Sequence, residues 1–327
     1  MHQMVSPHLR IIFEEIHMRF SVIIPVYNKA CTIMESVQSV LAQTFKDYEI
    51  VIVNDGSTDD FGEIERVLEQ YESVRIIHQE NSGVSVARNT GIKNARGSYI
   101  CFLDADDLYI ENHLEILNNV IERYPEKSYF ATSHCTLYPD GRRWSSNSII
   151  RNYDEAFVCK NLFKLLNQRG DAVINTNSMC ISKSIIEQND FYFEPHEKIG
   201  EDTDMWFRIA LKYSIVIVKA ETTVYQREYS TATAKSSNTL NWVFARRIEC
   251  IKQSDAPRNV KKEAVKLIDR YKMTCIRDLL YVGDKLAARK IVRELKYKTV
   301  KYFITVVLCM IPLKMSRYII KRLKGIK

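Results

Sequence analysis

Several things are missing from this chain of 327 residues, and each absence excludes a class of protein. Its eight cysteines form no C-x-x-C pair, so neither a zinc site nor a disulfide framework is supported. Several lie inside apolar segments and read as small buried hydrophobes in a reducing compartment. No apolar run approaches the ~20 residues that span a bilayer as a helix. The N-terminus lacks a charged segment followed by a long apolar stretch and a small-residue cleavage site, so no secretory signal is expected and the protein should stay inside the cell. Internal repeats and low-complexity linkers are also missing. The seven histidines are scattered, and His134 beside Cys135 reads as packing rather than metal ligation.

What is present is ordinary in amount and uneven in place. With 46% hydrophobic and 27% charged residues, the chain suits one large α/β unit with an appendage. The formal charge is +7, yet residues 283–327 alone hold thirteen Lys or Arg against two acids, so the positive excess belongs to the tail. That argues against a basic nucleic-acid groove and for an anionic surface met by the C-terminus. Residues 302–313 of the tail are almost wholly apolar and broken by Pro312. Lys296, Lys298 and Lys301 flank them on one side, and Lys314, Arg317, Lys321, Arg322 and Lys324 on the other. A segment lying in the headgroup region of an anionic membrane fits this pattern, each basic residue contributing ~1 kcal/mol; a buried core helix with a solvated basic end is the alternative.

Along the chain, Phe20–Val26 is apolar and β-branched and reads as a first strand. Ile33, Val37, Val40 and Leu41 then recur at helical spacing. A strand over 48–53, a helix over 64–71, a strand over 74–78 and a helix opening at Asn81-Ser82-Gly83 follow. The next strand, from Tyr99, ends abruptly in Asp104-Ala105-Asp106-Asp107. This β-α alternation is the signature of a mainly parallel sheet with helices on both faces. Either two of these carboxylates, flanking one small residue, hold a hard divalent cation with phosphate oxygens, or Asp104, Asp106 and Asp107 cap a helix expected over 109–124. Further on, the pattern predicts a strand over 128–138, a turn at Pro139-Asp140-Gly141, a helix over 159–167 and a strand over 178–181. An irregular aromatic segment, Phe191-Tyr192-Phe193, precedes a helix opened by Glu201, Asp202 and Asp204. A strand over 215–224 and helices beyond 241 complete the chain. The expected division is an extension over 1–17 ahead of Met18, taken as the natural start, a main domain over 18–230, and a helical region over 231–327 ending in the basic tail.

Four stretches in this order, Ser21-Val22-Ile23-Ile24-Pro25-Val26-Tyr27-Asn28, Val53-Asn54-Asp55-Gly56-Ser57-Thr58-Asp59, Gly83 to Asn89 with Gly91, and Asp104-Ala105-Asp106-Asp107, resemble family 2 glycosyltransferases of the GT-A fold. That fold is Rossmann-like, with a mainly parallel central sheet flanked by helices. The similarity covers roughly residues 20–229, with Gly200-Glu201-Asp202 similar to the family's acceptor-side acidic motif, and does not reach the tail. It implies an inverting, metal-dependent transfer of one sugar from a nucleotide-sugar, expected to be UDP-linked, to a hydroxyl of a glycan or lipid-linked acceptor in cell-surface polysaccharide synthesis. The implied place is the cytoplasmic face of the membrane.

The resemblance also implies roles. Pro25, Val26 and Tyr27 would shape the nucleobase pocket, Asp55 would accept a hydrogen bond from uracil, and Gly83 would let the backbone approach the nucleotide. Arg88 would either bind substrate charge or brace Asp104 or Asp55. Asp106 would hold Mg²⁺ or Mn²⁺, with Asp104 beside it on the ribose or on metal-bound water. Asp202 is the candidate base and Glu201 its support or the acceptor's, while Asp204 is a helix-terminal charge. The Q-x-x-R-W motif of processive members is absent, which points to single addition. Where many relatives place a basic or His-containing segment near the diphosphate, this chain has Tyr225-Gln226-Arg227-Glu228. A nucleotidyltransferase is disfavoured because no Gly-rich phosphate loop follows the first strand. A non-catalytic nucleotide-sugar-binding scaffold at the membrane surface stands as the alternative.

Overall fold

A computed structural model describes residues 18–170, 173–197, 200–227 and 243–323. The expected extension over 1–17, the 230/231 boundary, Glu228 and Lys324 lie outside the described residues.

The first half is built as its periodicity dictates. In β1 (Phe20–Val26), Phe20, Val22, Ile24 and Val26 enter one apolar core while Ile23 enters the other, so the strand is buried on both faces. Helix α1 (Ala30–Leu41) covers the first face with Ile33, Val37 and Val40. There follow β2 (Tyr48–Asn54), α2 (Phe61–Leu68), β3 (Val74–His78), α3 (Val84–Asn94) and β4 (Tyr99–Phe102). Helix α2 lies earlier than the expected 64–71, because Phe61 and Leu68 are the residues it buries. These four strands run parallel in the order β3-β2-β1-β4. Strand order switches sides at β1, with β2 and β3 on one flank and β4 on the other, and it is beyond the carboxyl ends of the strands at such a switch that open α/β sheets bind ligands.

Beyond β4 the sheet becomes mixed. The chain continues through β5 (Leu108–Tyr109), α4 (His113–Arg123), β6 (Tyr129–Leu137), β7 (Arg143–Ser145), β8 (Ala156–Cys159), α5 (Leu162–Arg169), β9 (Met179–Ser182), α6 (Lys183–Asn189), α7 (Glu201–Lys212) and β10 (Ile215–Gln226). Strand β9 lies antiparallel between β4 and β6, and β10 runs parallel to β6. Two expectations need correcting here. The helix placed over 109–124 starts only at His113, because Leu108 and Tyr109 pair with Val224 and Thr223 of β10; Asn112 precedes it, so none of Asp104, Asp106 and Asp107 caps it. The helix placed over 159–167 starts at Leu162, with the Asn161 side chain accepting from the Lys164 amide, and Cys159 belongs to β8.

Helices α8 (Val243–Arg246), α9 (Ile248–Gln253), α10 (Arg258–Val282), α11 (Lys285–Val292), α12 (Val300–Met310) and α13 (Leu313–Leu323) follow. The core on one sheet face continues through Phe244, Ile251, Leu267, Ile268 and Tyr271, whereas residues between Cys275 and Ile320 close a smaller core of their own. Buried Asp204 of α7 joins the two parts of the chain, accepting from Arg208 at 2.8 Å and from Arg247, ahead of α9, at 2.5 Å. Six of the eight cysteines are buried, and all are free thiols. No helix among the described residues is long and apolar enough to cross a membrane.

Close backbone approach at the start of β4 is set by Gly97, where a Cβ would lie 2.5 Å from the backbone carbon of Phe20 and the amide nitrogen of Ser21. Those atoms belong to the central strand and cannot yield. Gly97→Ala is expected to destabilise the fold by about 1–3 kcal/mol in urea unfolding, as overpacking does. Gly62→Ala, with nothing within 4 Å of the added Cβ, should be neutral or stabilising by roughly 0.5–1 kcal/mol.

Candidate active site

The site is assembled from loops at the carboxyl ends of β1, β2 and β4, together with the first turn of α7. At the end of β1, Pro25 and Val26 are buried in the strand while Tyr27 is 48% exposed. Asn28 adopts the left-handed region at φ 51°, and its Oδ1 accepts from the Thr58 amide at 2.8 Å. The Ala30 amide donates to Asp59 at 2.8 Å, so the loops after β1 and β2 are stitched together. Asp55, 3% exposed, accepts on Oδ1 from Gln79 (2.7 Å) and the Ser82 amide (2.8 Å), and on Oδ2 from the Gly83 amide (2.8 Å). It thereby shapes the loop that opens α3, and Oδ2 keeps an unused acceptor position. Gly83 has φ +91° and open space where a Cβ would be, a backbone that L side chains rarely adopt.

Arg88 pairs with Asp104 rather than with Asp55. Its Nη2 donates to Asp104 Oδ1 at 2.8 Å and its Nη1 to Glu201 Oε1 at 3.2 Å, with the guanidinium carbon 5.2 Å from the centre of the Phe193 ring. The side chain is buried; burial opposes its charge, but Asp104, Glu201 and Asp202 together hold it protonated. Neighbouring Asn89 fixes the irregular aromatic segment in both directions, donating to the Phe193 carbonyl (2.8 Å) and accepting its amide (2.9 Å).

The remaining acids of the β4 loop each have their own partner. Asp106 is held by Lys29 Nζ at 2.5 Å, and burial raises its pKa against that ammonium. Asp107 is fully buried, accepting from Asn177 Nδ2 (2.5 Å) and the Gln226 amide (2.7 Å); burial, then the Asp104 charge, raises its pKa well above the carboxylate range. Asn177 also accepts the Asp104 amide at 2.9 Å.

Helix α7 starts after Gly200, whose φ is +78°, and places Glu201, Asp202 and Asp204 in its positive first turn. Asp202 accepts from Thr176 Oγ1 on Oδ2 (3.0 Å) and from the Thr203 amide on Oδ1 (2.5 Å). Glu201 has its pKa pushed up to about 7, by burial first and then by Asp202, with Arg88 pulling the other way. Asp204 points elsewhere, into its arginine pair. Arg227 lies over Tyr138 with its guanidinium carbon 5.3 Å from the ring centre.

The carboxylates of β4 and α7 therefore meet around one arginine. Lys29, Thr176 and Asn177 were missed by reading the sequence, since each is a common polar residue whose partner lies 26 to 77 positions away. Among the described residues no group of three or more His, Cys, Asp or Glu could hold a metal unaided. Asp104 and Asp106 are carboxylates of the kind that ligate a hard cation, and in this structure each pairs with a cationic side chain, Arg88 and Lys29 respectively.

Comparison with known proteins shows the family and the fold. An uncharacterised glycosyltransferase of Rickettsia felis is 35% identical over 197 residues, 60% of this chain and 31% of its own length, so the chain spans about a third of that relative. Glycosyltransferase GlyG of Streptococcus pneumoniae is 27% identical over 268 residues, 78% of this chain and 88% of its own. Among solved structures, Staphylococcus aureus TarS 1–349 in complex with UDP-GlcNAc superposes with a TM-score of 0.71 at 18% identity, covering 85% of this chain and 82% of that one, a likeness of GT-A fold. The family model for glycosyl transferase family 2 matches residues 21–188, more than half of the sequence, and the chain belongs to that family.

Proposed function

We propose that the chain transfers one sugar from a nucleotide-sugar, UDP-linked, to a hydroxyl of a glycan or lipid-linked acceptor with inversion at the anomeric carbon, in cell-surface polysaccharide synthesis. The observation that carries the reading is Arg88, which draws Asp104 at the sheet crevice and Glu201 at the α7 N-terminus onto one guanidinium. Tyr27, Asp55 and the Gly83 loop border the nucleoside end, with Pro25 and Val26 beneath them. In this reading the main domain over 18–230 carries the reaction and the region beyond it, with helices α8 to α13, supports it.

In the reaction a bond forms between the acceptor oxygen and the anomeric carbon as the bond to the UDP oxygen breaks. Asp202 takes the acceptor hydroxyl's proton on Oδ2, which accepts from Thr176 and keeps a further acceptor position, while the Thr203 amide and hydroxyl both donate to Oδ1 and fix the carboxylate. Glu201, held by Arg88, positions the acceptor or the base. A Mg²⁺ or Mn²⁺ ion held by Asp106 and Asp104 would neutralise charge on the departing diphosphate. Lys29, which donates to Asp106 at 2.5 Å, would have to give up that pairing to such a cation.

A panel of UDP- and GDP-sugars, scored for donor hydrolysis and transfer with and without Mn²⁺, tests the reading. Metal-dependent turnover of a UDP-sugar is expected, and nucleotide binding with no turnover of any donor would leave the scaffold alternative in its place. Asp202→Asn should abolish transfer while UDP-sugar affinity by calorimetry stays within about twofold, since the base contributes to the transition state and not to donor binding. Lys29→Met should tighten Mn²⁺ binding in the absence of nucleotide by about tenfold, by removing the ammonium that competes for Asp106. The raised Glu201 pKa sets a third expectation. The folded chain keeps this proton up to about 7 and the unfolded chain only to 4.5, so across that window the wild type should lose stability relative to Glu201→Gln as pH rises, measured by urea unfolding.

A further inference from the structure

Helix α12 presents two unlike faces. Thr305, Leu308 and Cys309 are buried, the last two in the small core with Ile276, Leu280 and Ala288. The opposite face carries Val300, Phe303, Ile304, Val307 and Met310, spaced three and four residues apart and between 50% and 77% exposed. After the break at Ile311-Pro312, α13 adds exposed Met315 and Tyr318. Half of the apolar run is therefore core, and half faces outward.

The charge around this face is one-sided. Lys298, Lys301, Lys314 and Lys321 are exposed and pair with no carboxylate among the described residues. Both acids of residues 283–327 are already engaged: Asp284 accepts the Ala287 amide as the cap of α11, and Glu294 pairs with Lys272 at 2.8 Å. Arg317, by contrast, is used inside the fold, donating to the carbonyls of Tyr281 and Val282 at the end of α10. A stripe of large apolar side chains bordered by unpaired lysines fits a surface that is apolar within and anionic at its boundary. A second copy of this face would bring lysine against lysine, which disfavours self-association. With eleven residues, α12 is far short of the ~20 needed to cross a bilayer, so it can only lie in the plane.

We propose that α12 and α13 form a membrane-docking surface that sets Val300, Phe303, Ile304, Val307 and Met310 among the outer acyl carbons of an anionic leaflet, with Lys298, Lys301, Lys314 and Lys321 at the lipid phosphates. The proposal does not depend on the donor or the base, and its test reads no activity.

The test is flotation of the purified full chain with phosphatidylcholine vesicles, with or without phosphatidylglycerol. Binding is expected to the anionic vesicles, to be weak on phosphatidylcholine alone, and to decline with added NaCl. The double variant Phe303→Glu/Val307→Glu, changed at exposed positions and checked for fold by circular dichroism, should bind at least about tenfold more weakly. Lys301→Gln and Lys314→Gln should each lower binding by about fivefold. Equal binding to both vesicle types, or undiminished binding of the double variant, would overturn the proposal. So would light scattering that shows a wild-type dimer, dispersed in the double variant, together with no vesicle binding: the face would then join two copies.

Discussion

A buried guanidinium is the constraint on which the arrangement of this cleft depends. Arg88 is 4% exposed, and a charge so placed is tolerated only when carboxylates and hydrogen bonds surround it. Its two partners come from positions 16 and 113 residues further along the chain, so satisfying it forces the β4 loop and the α7 N-terminus to the same point. Removing one partner of such a buried pair costs about 3–5 kcal/mol, although the intact pair need contribute little net stability. The network is thus better understood as fixing position than as supplying stability. Phe193 completes it, holding its ring against the guanidinium because Asn89, the next residue of α3, locks its backbone.

The acids around that arginine are in tension. Burial raises the pKa of Asp106, Asp107 and Glu201, and neighbouring carboxylates add to each shift. The chain relieves this with its own cations and amides: Lys29 for Asp106, Arg88 for Asp104 and Glu201, Asn177 and the Gln226 amide for Asp107.

The legible parts of the fold were those written in short-range pattern. Strand β1 falls at its expected bounds, Ile33, Val37 and Val40 form the buried stripe of α1, and the left-handed Gly83 opens α3. Errors gathered where tertiary pairing overrode local preference. Leu108 and Tyr109 could extend a helix, but an edge of β10 lies beside them and they became a strand, which moved α4 away from the acids. The aromatic run at 191–193 has no period because its geometry is imposed by α3 rather than by its own backbone.

Sequence alone determined which residue types stand at the strand ends: the acids after β4, the glycine that admits a left-handed turn, the acidic first turn of α7 and the basic, half-apolar tail. These follow from covalent order and from periodicities of two and 3.6 residues, which local sterics enforce. Tertiary structure decided who faces whom: that Arg88 joins Asp104 to Glu201, that Lys29 sits on Asp106, that Asp204 belongs to Arg208 and Arg247, and which half of α12 is left uncovered. Partners separated by tens of residues are selected by the packing of the whole sheet and its helices, and no local pattern encodes that choice.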